Sequence, residues 1–398
     1  MNETRSGIRL APWARSLRQS ILREMHGLLS RPGTLSLALG LPAAEMFPTE
    51  AFGRAASEVL AGDAAALQYG LPHQGLKRHV VKLMALRGVT CAEEQVFLTT
   101  GAQQGMDLLV RLLLGPDSSA LVEEVTYDGI LMVMRPVDPE ILIVPSSPEE
   151  GLDLAAVEGL LSTGKRPAFI YAITEGHNPL GVSLSAAHRA RLVRIAARHQ
   201  IPIIEDDAYG FLSYNGEAAP PLRALDSDNV LYLGSFSKIL APALRAGWIV
   251  APESLLEPLS IVKHAADLDV TTFAHRAVAA FLDGGHLPGH IAALRREYGA
   301  RRDAMLGALE ACFPPGARWR KPSSGMFVWV DLPGTIDAAD LLRTCVETEK
   351  VAFVPGVAFS HAGGSRAAHG MRLSFSSLPP GRIEEGIERL GRALKRTL

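Results

Sequence analysis

The chain has few of the features that mark several large classes of protein. Its three cysteines, Cys91, Cys312 and Cys345, are far apart and odd in number, which argues against a disulfide framework or a zinc site. The formal charge is −2, so no basic nucleic-acid surface is indicated. The N-terminal segment carries scattered arginines, and no apolar run approaches the ~20 residues of a spanning helix. We therefore expect a cytoplasmic protein without a bound metal ion.

The length and apolar content of the chain predict two domains. With 398 residues, 47% of them hydrophobic, the chain can bury a large core and exceeds the usual size of one domain. From about residue 95, near-continuous apolar runs such as "PAFIYAIT" and "IPIIEDD" alternate with helical patterns. This alternation is typical of a mostly parallel sheet sandwiched by helices.

The pattern changes after about residue 290, where charged helices and alternating strands such as "SGMFVWVDL" predict a smaller α+β domain. We place the boundaries at 1–45 for an N-terminal helix and a segment joining the small domain, 46–289 for the large domain and 290–398 for the small domain. Within the first segment, apolar residues at helical spacing predict a helix over residues 13 to 29.

Polar residues follow several of the predicted strands at the point where each apolar run ends. In an open parallel sheet, ligands bind beyond the carboxyl ends of the strands. We therefore expect these residues to lie close together around one ligand-binding crevice at the carboxyl edge of the sheet. In chain order they are Gly101, Ala102, Gln103, Asn178, Asp206, Ser235 and Lys238.

The turn "TTGAQQG" opens a helix, whose unpaired N–H groups and dipole favour an anion such as phosphate. Ser235, Ser237 and Arg245 are suited to complete that site, since arginine makes forked phosphate contacts. Taken alone, the turn is more typical of an ordinary helix start than of a phosphate site.

Lys238 lies between a buried strand and the apolar stretch "ILAPAL". Loss of solvation there lowers the pKa of an amine and makes it nucleophilic enough for a Schiff base, although a lysine that reaches the surface is the alternative. Asp206 belongs to the acidic triplet "EDD", and a buried carboxylate needs a cation such as a protonated pyridine nitrogen. Asp207 is expected to face solvent or to cap the next turn. Together these groups meet the requirements of pyridoxal 5′-phosphate.

The motifs "LQYG", "EDDAYG", "GSFSKILAPALRAGW", "SGMFVWV" and "MRLSFS" resemble those of the fold type I pyridoxal-phosphate aminotransferases of class I/II. The similarity runs nearly from end to end. The segment "SILREMHGLLSRPGTLSLALGLPAAEMFP" resembles in particular the 2-aminoadipate and kynurenine aminotransferase subgroup. This resemblance implies a homodimer that moves an α-amino group between an L-amino acid and a 2-oxo acid by a ping-pong cycle.

The resemblance also implies roles for individual residues. Lys238 would form the Schiff base with the cofactor and would transfer the proton between the substrate Cα and the cofactor C4′. Asp206 would hold the pyridine nitrogen, Asn178 and Tyr209 the phenolic oxygen, and Tyr127 would lie over the ring. The phosphate would be bound by Gly101, Ala102, Gln103, Ser235, Ser237 and Arg245, with Tyr69 reaching in from a partner subunit. The substrate would be bound by Arg372 at its α-carboxylate, with Asn178 and Gly40, and by Arg23 at a side-chain carboxylate.

Some residues depart from the family pattern, and these departures leave other reactions open. The chain reads "TEGHNPLG" where the family usually ends a loop in Gln-Asn-Pro-Thr-Gly, so His177 replaces a glutamine and Leu180 a threonine. A pyridoxal-phosphate lyase, cyclase or amino-acid oxidase of specialised metabolism is therefore the alternative function. A transcription regulator with an aminotransferase-like domain is a further alternative, but we expect no DNA-binding head before residue 30.

We expect His177, His73 and His369 to be structural.

Overall fold

The computed structural model describes residues 9–15, 33–214, 216, 218–334, 336–361 and 365–398. The strands are β1 Leu35–Ser36, β2 Val96–Thr99, β3 Ser119–Glu123, β4 Glu140–Val144, β5 Ser146–Ser147, β6 Gly151–Leu152, β7 Ile170–Ala172, β8 Ile203–Asp206, β9 Val230–Ser235, β10 Gly247–Val250, β11 Arg318–Trp319, β12 Phe327–Asp331, β13 Val351–Ala352, β14 Val354–Pro355 and β15 Gly370–Ser374. The helices are α1 Pro12–Arg15, α2 Thr49–Gly62, α3 Gln74–Leu86, α4 Ala102–Leu113, α5 Asp128–Met134, α6 Leu154–Ser162, α7 Ala186–His199, α8 Leu222–Leu225, α9 Leu256–Asp267, α10 Thr272–Asp283, α11 Leu287–Cys312, α12 Ala338–Thr344, α13 Ser365–His369 and α14 Pro380–Thr397.

Seven strands form the main sheet in the order β2-β10-β9-β8-β7-β3-β4. The neighbouring pairs from β9 to β4 are parallel, so the predicted mostly parallel sheet is confirmed. β10 is the exception, because it runs antiparallel to both β9 and β2. The sequence did not reveal this strand. Only a loop of residues 236–246 joins β9 to β10, and such a short connection favours an antiparallel return.

Both faces of the main sheet are covered by apolar side chains, as the continuous hydrophobic runs predicted. On β8, Ile204 packs in one buried cluster with Met106 and Leu109 of α4. Ile203, which points to the other face, packs with Leu192 of α7. The alternation places Asp206 on the face of Ile204 and α4 at the carboxyl end of the strand.

A second sheet has four antiparallel strands in the order β11-β12-β15-β14. The short strand β1 pairs in parallel with β13, and this pairing joins the segment around residue 35 to the C-terminal part of the chain. This four-stranded sheet agrees with the mixture of helices and alternating strands that the sequence predicted after about residue 290. The domain boundaries at 45 and 289 stay predictions.

The described part of the N-terminus is short. α1 covers the beginning of the helix predicted over residues 13 to 29, and the rest of that helix, including Arg23, lies outside the described residues. None of the helices among the described residues combines the length and the apolar character that a membrane crossing requires.

Candidate active site

A cavity of about 520 Å³ lies at the carboxyl ends of the parallel strands. Most of the residues that the sequence assigned to a site line this one cavity. They are Gly40, Ala102, Gln103, Tyr127, Asn178, Asp206, Tyr209, Ser235, Ser237, Lys238, Arg245 and Arg372. Three other predicted residues lie elsewhere: Gly101 directly precedes Ala102, Tyr69 lines a separate surface cavity, and Arg23 is outside the described residues.

The N-terminus of α4 forms one end of the cavity. Gly101 precedes the helix with φ +93°, a backbone conformation that side chains other than glycine rarely adopt. The N-cap residue Gly101 has no side chain to cap the helix, so the first amide groups are available to an external acceptor. The hydroxyl of Ser235, at the end of β9, accepts a hydrogen bond from the Ser237 amide at 3.1 Å. Amides and hydroxyls thus converge in the way that suits an anion.

Arg245 brings a positive charge to the same end of the cavity. Its Nη2 donates to the Thr100 carbonyl at 2.9 Å, and its Nη1 donates to the Pro242 carbonyl at 3.2 Å. A Cβ on Gly101 would lie 2.6 Å from Arg245 Nη2. Gly101 therefore serves two purposes, since it provides the turn before α4 and the space for this guanidinium.

Lys238 follows β9 by three residues, and its amine lies inside the cavity. Nζ donates to the Gly40 carbonyl at 2.9 Å and lies 5.9 Å from the centre of the Tyr209 ring. Burial lowers the pKa of Lys238 to about 8, and the positive charge of Arg372 adds to this effect, while Asp206 opposes it. A substantial neutral fraction near physiological pH makes this amine a competent nucleophile.

Asp206, at the end of β8, has one carboxylate oxygen engaged and one free. The Tyr171 hydroxyl donates to Oδ2 at 2.7 Å, whereas Oδ1 is buried without a hydrogen-bond partner among the described residues. Burial raises the pKa of Asp206 to about 6, and the neighbouring Asp207 raises it as well. A buried oxygen of this kind is suited to a cationic or N–H donor from a ligand.

Arg372, on β15, is buried and has no acidic partner among the described residues. Nη1 donates to Asn178 Oδ1 at 2.7 Å and Nη2 to the Ala38 carbonyl at 2.6 Å, while Nε has no partner there. The guanidinium lies over the rings of Phe327 and Phe359, at 4.1 and 4.7 Å from their centres. Burial lowers the pKa of Arg372 to about 10, because the charged guanidinium is desolvated. A carboxylate ligand would offset this desolvation cost by pairing with the charge.

Two tyrosines complete the polar lining. Tyr127 directly precedes α5, and its hydroxyl donates to Gln103 Oε1 at 3.3 Å. Burial raises the pKa of Tyr127 to about 12 and also raises the pKa of Tyr209 above its usual value. Both hydroxyls therefore act as neutral hydrogen-bond donors.

The three histidines that the sequence assigned to structural roles all have local hydrogen-bond partners. His177 accepts from the Leu180 amide through Nδ1 at 3.2 Å, so Nε2 carries the proton that Glu123 accepts at 2.9 Å. His73 accepts from an amide at the start of α3, and His369 bonds the Ile336 carbonyl. In "TEGHNPLG", His177 thus ties its loop to β3 directly beside Asn178.

The expectation that Asp207 faces solvent or caps a turn is wrong. Asp207 is buried, and its Oδ2 accepts from Arg87 Nη2 at 3.2 Å and from the Tyr232 hydroxyl at 2.9 Å. An arginine 120 residues away in the chain supplies the counter-charge. Sequence reasoning had no local signal for this ion pair, since the partner comes from the C-terminal end of α3.

Tyr171, Ala38 and the two phenylalanines around Arg372 are contacts that the sequence did not reveal. One weak signal existed for Tyr171, because a polar hydroxyl in the otherwise aliphatic run "FIYAI" needs a partner when it is buried. Tyr69, a predicted phosphate ligand, does not line the main cavity. It is 75% exposed and lines a surface cavity that also includes Arg245.

Comparison with known proteins identifies chains similar to this one over nearly its whole length. The model of the family "Aminotransferase class I and II" matches residues 36–390. The aromatic-amino-acid aminotransferase 1 of Thermococcus litoralis is 38% identical over 392 residues, which cover 96% of this chain and 93% of that protein. The 2-aminoadipate transaminase of Thermus thermophilus is 39% identical over 388 residues, covering 95% and 94% respectively.

A solved structure shows the same similarity in three dimensions. The alpha-aminoadipate aminotransferase of Thermus thermophilus, complexed with N-(5′-phosphopyridoxyl)-L-leucine, superposes with a TM-score of 0.90 at 36% identity. The match covers 97% of this chain and 97% of that chain.

Proposed function

Because this chain belongs to the class I and II aminotransferase family and is a fold type I aminotransferase, we propose that it transfers the α-amino group of an L-amino acid to a 2-oxo acid with pyridoxal 5′-phosphate, by a ping-pong cycle. The observation that carries the proposal is one cavity with three complementary groups. It holds the desolvated amine of Lys238, the unpaired Oδ1 of Asp206, and Arg372 without an acidic partner among the described residues.

The described residues fit this cofactor in charge and in hydrogen-bonding capacity. Asp206 Oδ1 is a buried acceptor without a partner in that part of the chain, as a protonated ring nitrogen requires. The uncapped start of α4, with Ser235, Ser237 and Arg245, would hold the phosphate. Asn178 and Tyr209 would bond the phenolic oxygen, and Tyr127 would lie against the ring.

When bound, pyridoxal 5′-phosphate accepts the amino group from one substrate, gives it to the other and withdraws electrons from the substrate Cα. Lys238 supplies the nucleophilic amine and moves the proton at Cα, because burial holds its pKa at about 8. Asp206 supplies the negative charge for the ring nitrogen. Arg372 binds the α-carboxylate in a forked contact, and the side chain of Asn178 holds Nη1 in place.

The apolar part of the cavity supports an apolar side chain on the amino donor. Leu41 and Met132 line the cavity and are 53% and 41% exposed, so a substrate side chain of similar character would gain free energy by covering them. The cations lining the cavity among the described residues are Lys238, Arg245 and Arg372, and each has a role above. The described part of the cavity therefore favours an amino donor such as leucine or phenylalanine, and a high kcat/KM with glutamate would depend on the predicted Arg23.

Arg23 is the predicted partner of an acidic substrate side chain, and it lies outside the described residues. If it acts in this way, Arg23→Ala lowers kcat/KM for glutamate and 2-aminoadipate and leaves leucine unaffected. Equal loss for acidic and apolar donors would contradict the assignment.

The exposed Tyr69, which lies outside the main cavity, supports a homodimer in which this residue reaches the phosphate of the partner subunit.

The test of the proposed function is the absorbance spectrum of the purified protein with its cofactor. Amino donors should convert the bound pyridoxal form to the pyridoxamine form and release the matching 2-oxo acid. Lys238→Ala should abolish this conversion. Lys77→Ala is the matched control, since Lys77 is a partly buried lysine with a pKa also lowered by burial, outside the cavity.

The alternative of a lyase, cyclase or oxidase is distinguished by the same experiment. Such an enzyme would consume the amino acid without accumulating the pyridoxamine form, and any 2-oxo acid released by an oxidase would be accompanied by free ammonia. Failure of every donor in a broad panel to convert the cofactor would reject the aminotransferase reaction for this chain.

A further inference from the structure

Two tyrosines flank β8 and bond the two carboxylates at its end. Tyr171 of β7 donates to Asp206 at 2.7 Å, and Tyr232 of β9 donates to Asp207 at 2.9 Å. Both rings are completely buried, and both neighbouring strands run parallel to β8. Asp206 and Asp207 are adjacent in sequence, but only Asp206 lines the cavity. The two pairs therefore have the same chemistry in two different positions relative to the site.

The register of the sheet brings Tyr171 to Asp206. Tyr171 lies opposite Ile204 in the β7–β8 pair, and residues two apart on a strand share a face. Tyr171 and Asp206 are thus diagonal neighbours on one face, within reach of a long side chain. Because Tyr171 belongs to the packed cluster that includes Phe169 and Ile204, its hydroxyl has little freedom to move away from Asp206.

The hydrogen bond distinguishes the two oxygens of Asp206. Oδ2 is occupied by the Tyr171 hydroxyl, and only Oδ1 is left without a partner among the described residues. A hydroxyl that donates to a carboxylate also favours its charged form, and here it opposes the effect of burial on the pKa of Asp206. Without this donor, Asp206 would lose one contact that orients its carboxylate and would be easier to protonate.

We propose that Tyr171 is a positioning residue, which fixes the Asp206 carboxylate so that Oδ1 is presented as an anion to the ring nitrogen of the cofactor. This inference rests on the proposed function, because it assigns Tyr171 to the recognition of a pyridine nitrogen. It differs from a purely structural role for Tyr171, which would affect folding and every ligand equally.

The experiment compares the affinity of the apoenzyme for two ligands, pyridoxal 5′-phosphate and its 1-deaza analogue, in which CH replaces the ring nitrogen. Tyr171→Phe should weaken binding of pyridoxal 5′-phosphate roughly 10- to 100-fold, the range for hydrogen bonds to charged groups. Binding of the deaza analogue should be unchanged. The readout is the ratio of the two dissociation constants, measured by absorbance or fluorescence without turnover.

Tyr232→Phe is the matched control, because it removes an equally buried hydroxyl from the adjacent carboxylate that does not line the cavity. Its ratio of dissociation constants should equal that of the unmodified enzyme. Equal weakening of both ligands by Tyr171→Phe, or no change in either, would overturn the proposal. Failure of the unmodified enzyme to bind pyridoxal 5′-phosphate would instead overturn the proposed function.

A second change covers the case in which Tyr171→Phe does not fold. Site-specific incorporation of 3,5-difluorotyrosine at position 171 keeps the ring and makes the hydroxyl a stronger donor. The preference for pyridoxal 5′-phosphate over the deaza analogue should then increase. An unchanged preference in a folded protein would also overturn the proposal.

Discussion

At the scale of single residues, the site depends on two cations that are stabilised by backbone carbonyl groups. Lys238 donates to the Gly40 carbonyl and Arg372 donates to the Ala38 carbonyl, so one short segment accepts from both. Neither forms an ion pair with an acid among the described residues. Carbonyl oxygens hold the side chains in position without neutralising their charge, which keeps both available to a ligand.

The protonation of Lys238 predicts how the chain would bind pyridoxal 5′-phosphate, the proposed cofactor. Since burial lowers the pKa of Lys238 from 10.5 to about 8, the neutral amine becomes the major form as the pH rises through about 8. The rate of capture of pyridoxal 5′-phosphate, followed by absorbance, should rise to a plateau with its midpoint there. A midpoint near 10.4, the value for a free lysine, would contradict a desolvated amine.

Arg372→Lys tests the proposed contact between Arg372 and the α-carboxylate of the substrate. Lysine keeps the charge but loses the planar fork, so we expect KM for the amino donor to rise roughly 10- to 100-fold. Arg301→Lys is the control, because Arg301 is equally buried but bonds Glu45, Glu297 and the Ser376 carbonyl away from the cavity. An unchanged KM in Arg372→Lys would remove this residue from substrate binding.

At the scale of secondary structure, the start of α4 and the β9–β10 hairpin form the anion end together. A Cβ at Gly247 of β10 would lie 2.8 Å from the backbone of Gly101, so the hairpin packs directly against the turn. Arg245, in the loop between the two strands, is placed beside the helix N-terminus by this packing. The antiparallel β10 is therefore what brings the arginine to the amide groups.

Gly101→Ala should damage this end of the site. The change places a side chain at φ +93°, at a cost of about 1–3 kcal/mol, and pushes against Arg245. We expect the dissociation constant for pyridoxal 5′-phosphate to rise, as measured by titration of the apoenzyme. Gly159→Ala, inside α6 with open space around it, should leave that constant unchanged. Equal affinity in both variants would exclude a phosphate role for the turn.

At the scale of the whole molecule, the cavity is assembled from distant parts of the chain. Gly40 follows the short strand β1, Lys238 follows β9 of the main sheet, and Arg372 belongs to the four-stranded sheet. Asn178 and Arg372 form a hydrogen bond across 194 residues of sequence. The complete site therefore exists only when the N-terminal segment and both sheets are folded together.

Cofactor binding should stabilise the folded chain for that reason. A ligand that binds only the native state raises its stability, by about 2.7 kcal/mol at 100 times the dissociation constant. We expect the melting temperature of the apoenzyme to rise with the concentration of pyridoxal 5′-phosphate, and to rise less with pyridoxal, which lacks the phosphate. Equal shifts from the two compounds would contradict the anion site at α4.

The sequence by itself determined the fold class, the family and most of the residues around the cavity. It could do so because strand periodicity and the local motifs around Lys238, Asp206 and Asn178 are properties of neighbouring residues. The roles assigned to those residues stay proposals, although the tertiary structure places most of them together.

Only the tertiary structure decided the contacts between distant segments. The pairing of Arg87 with Asp207, the hydrogen bond of Tyr171 to Asp206, and the antiparallel direction of β10 all depend on register and packing. The motif "EDDAYG" selected Asp206 only through its resemblance to a family, whereas the structure gives the physical difference between the two aspartates, because β8 ends between them and their side chains reach different partners. Both aspartates keep an Oδ1 without a hydrogen-bond partner among the described residues, but only Asp206 lines the cavity, where a ligand can reach it.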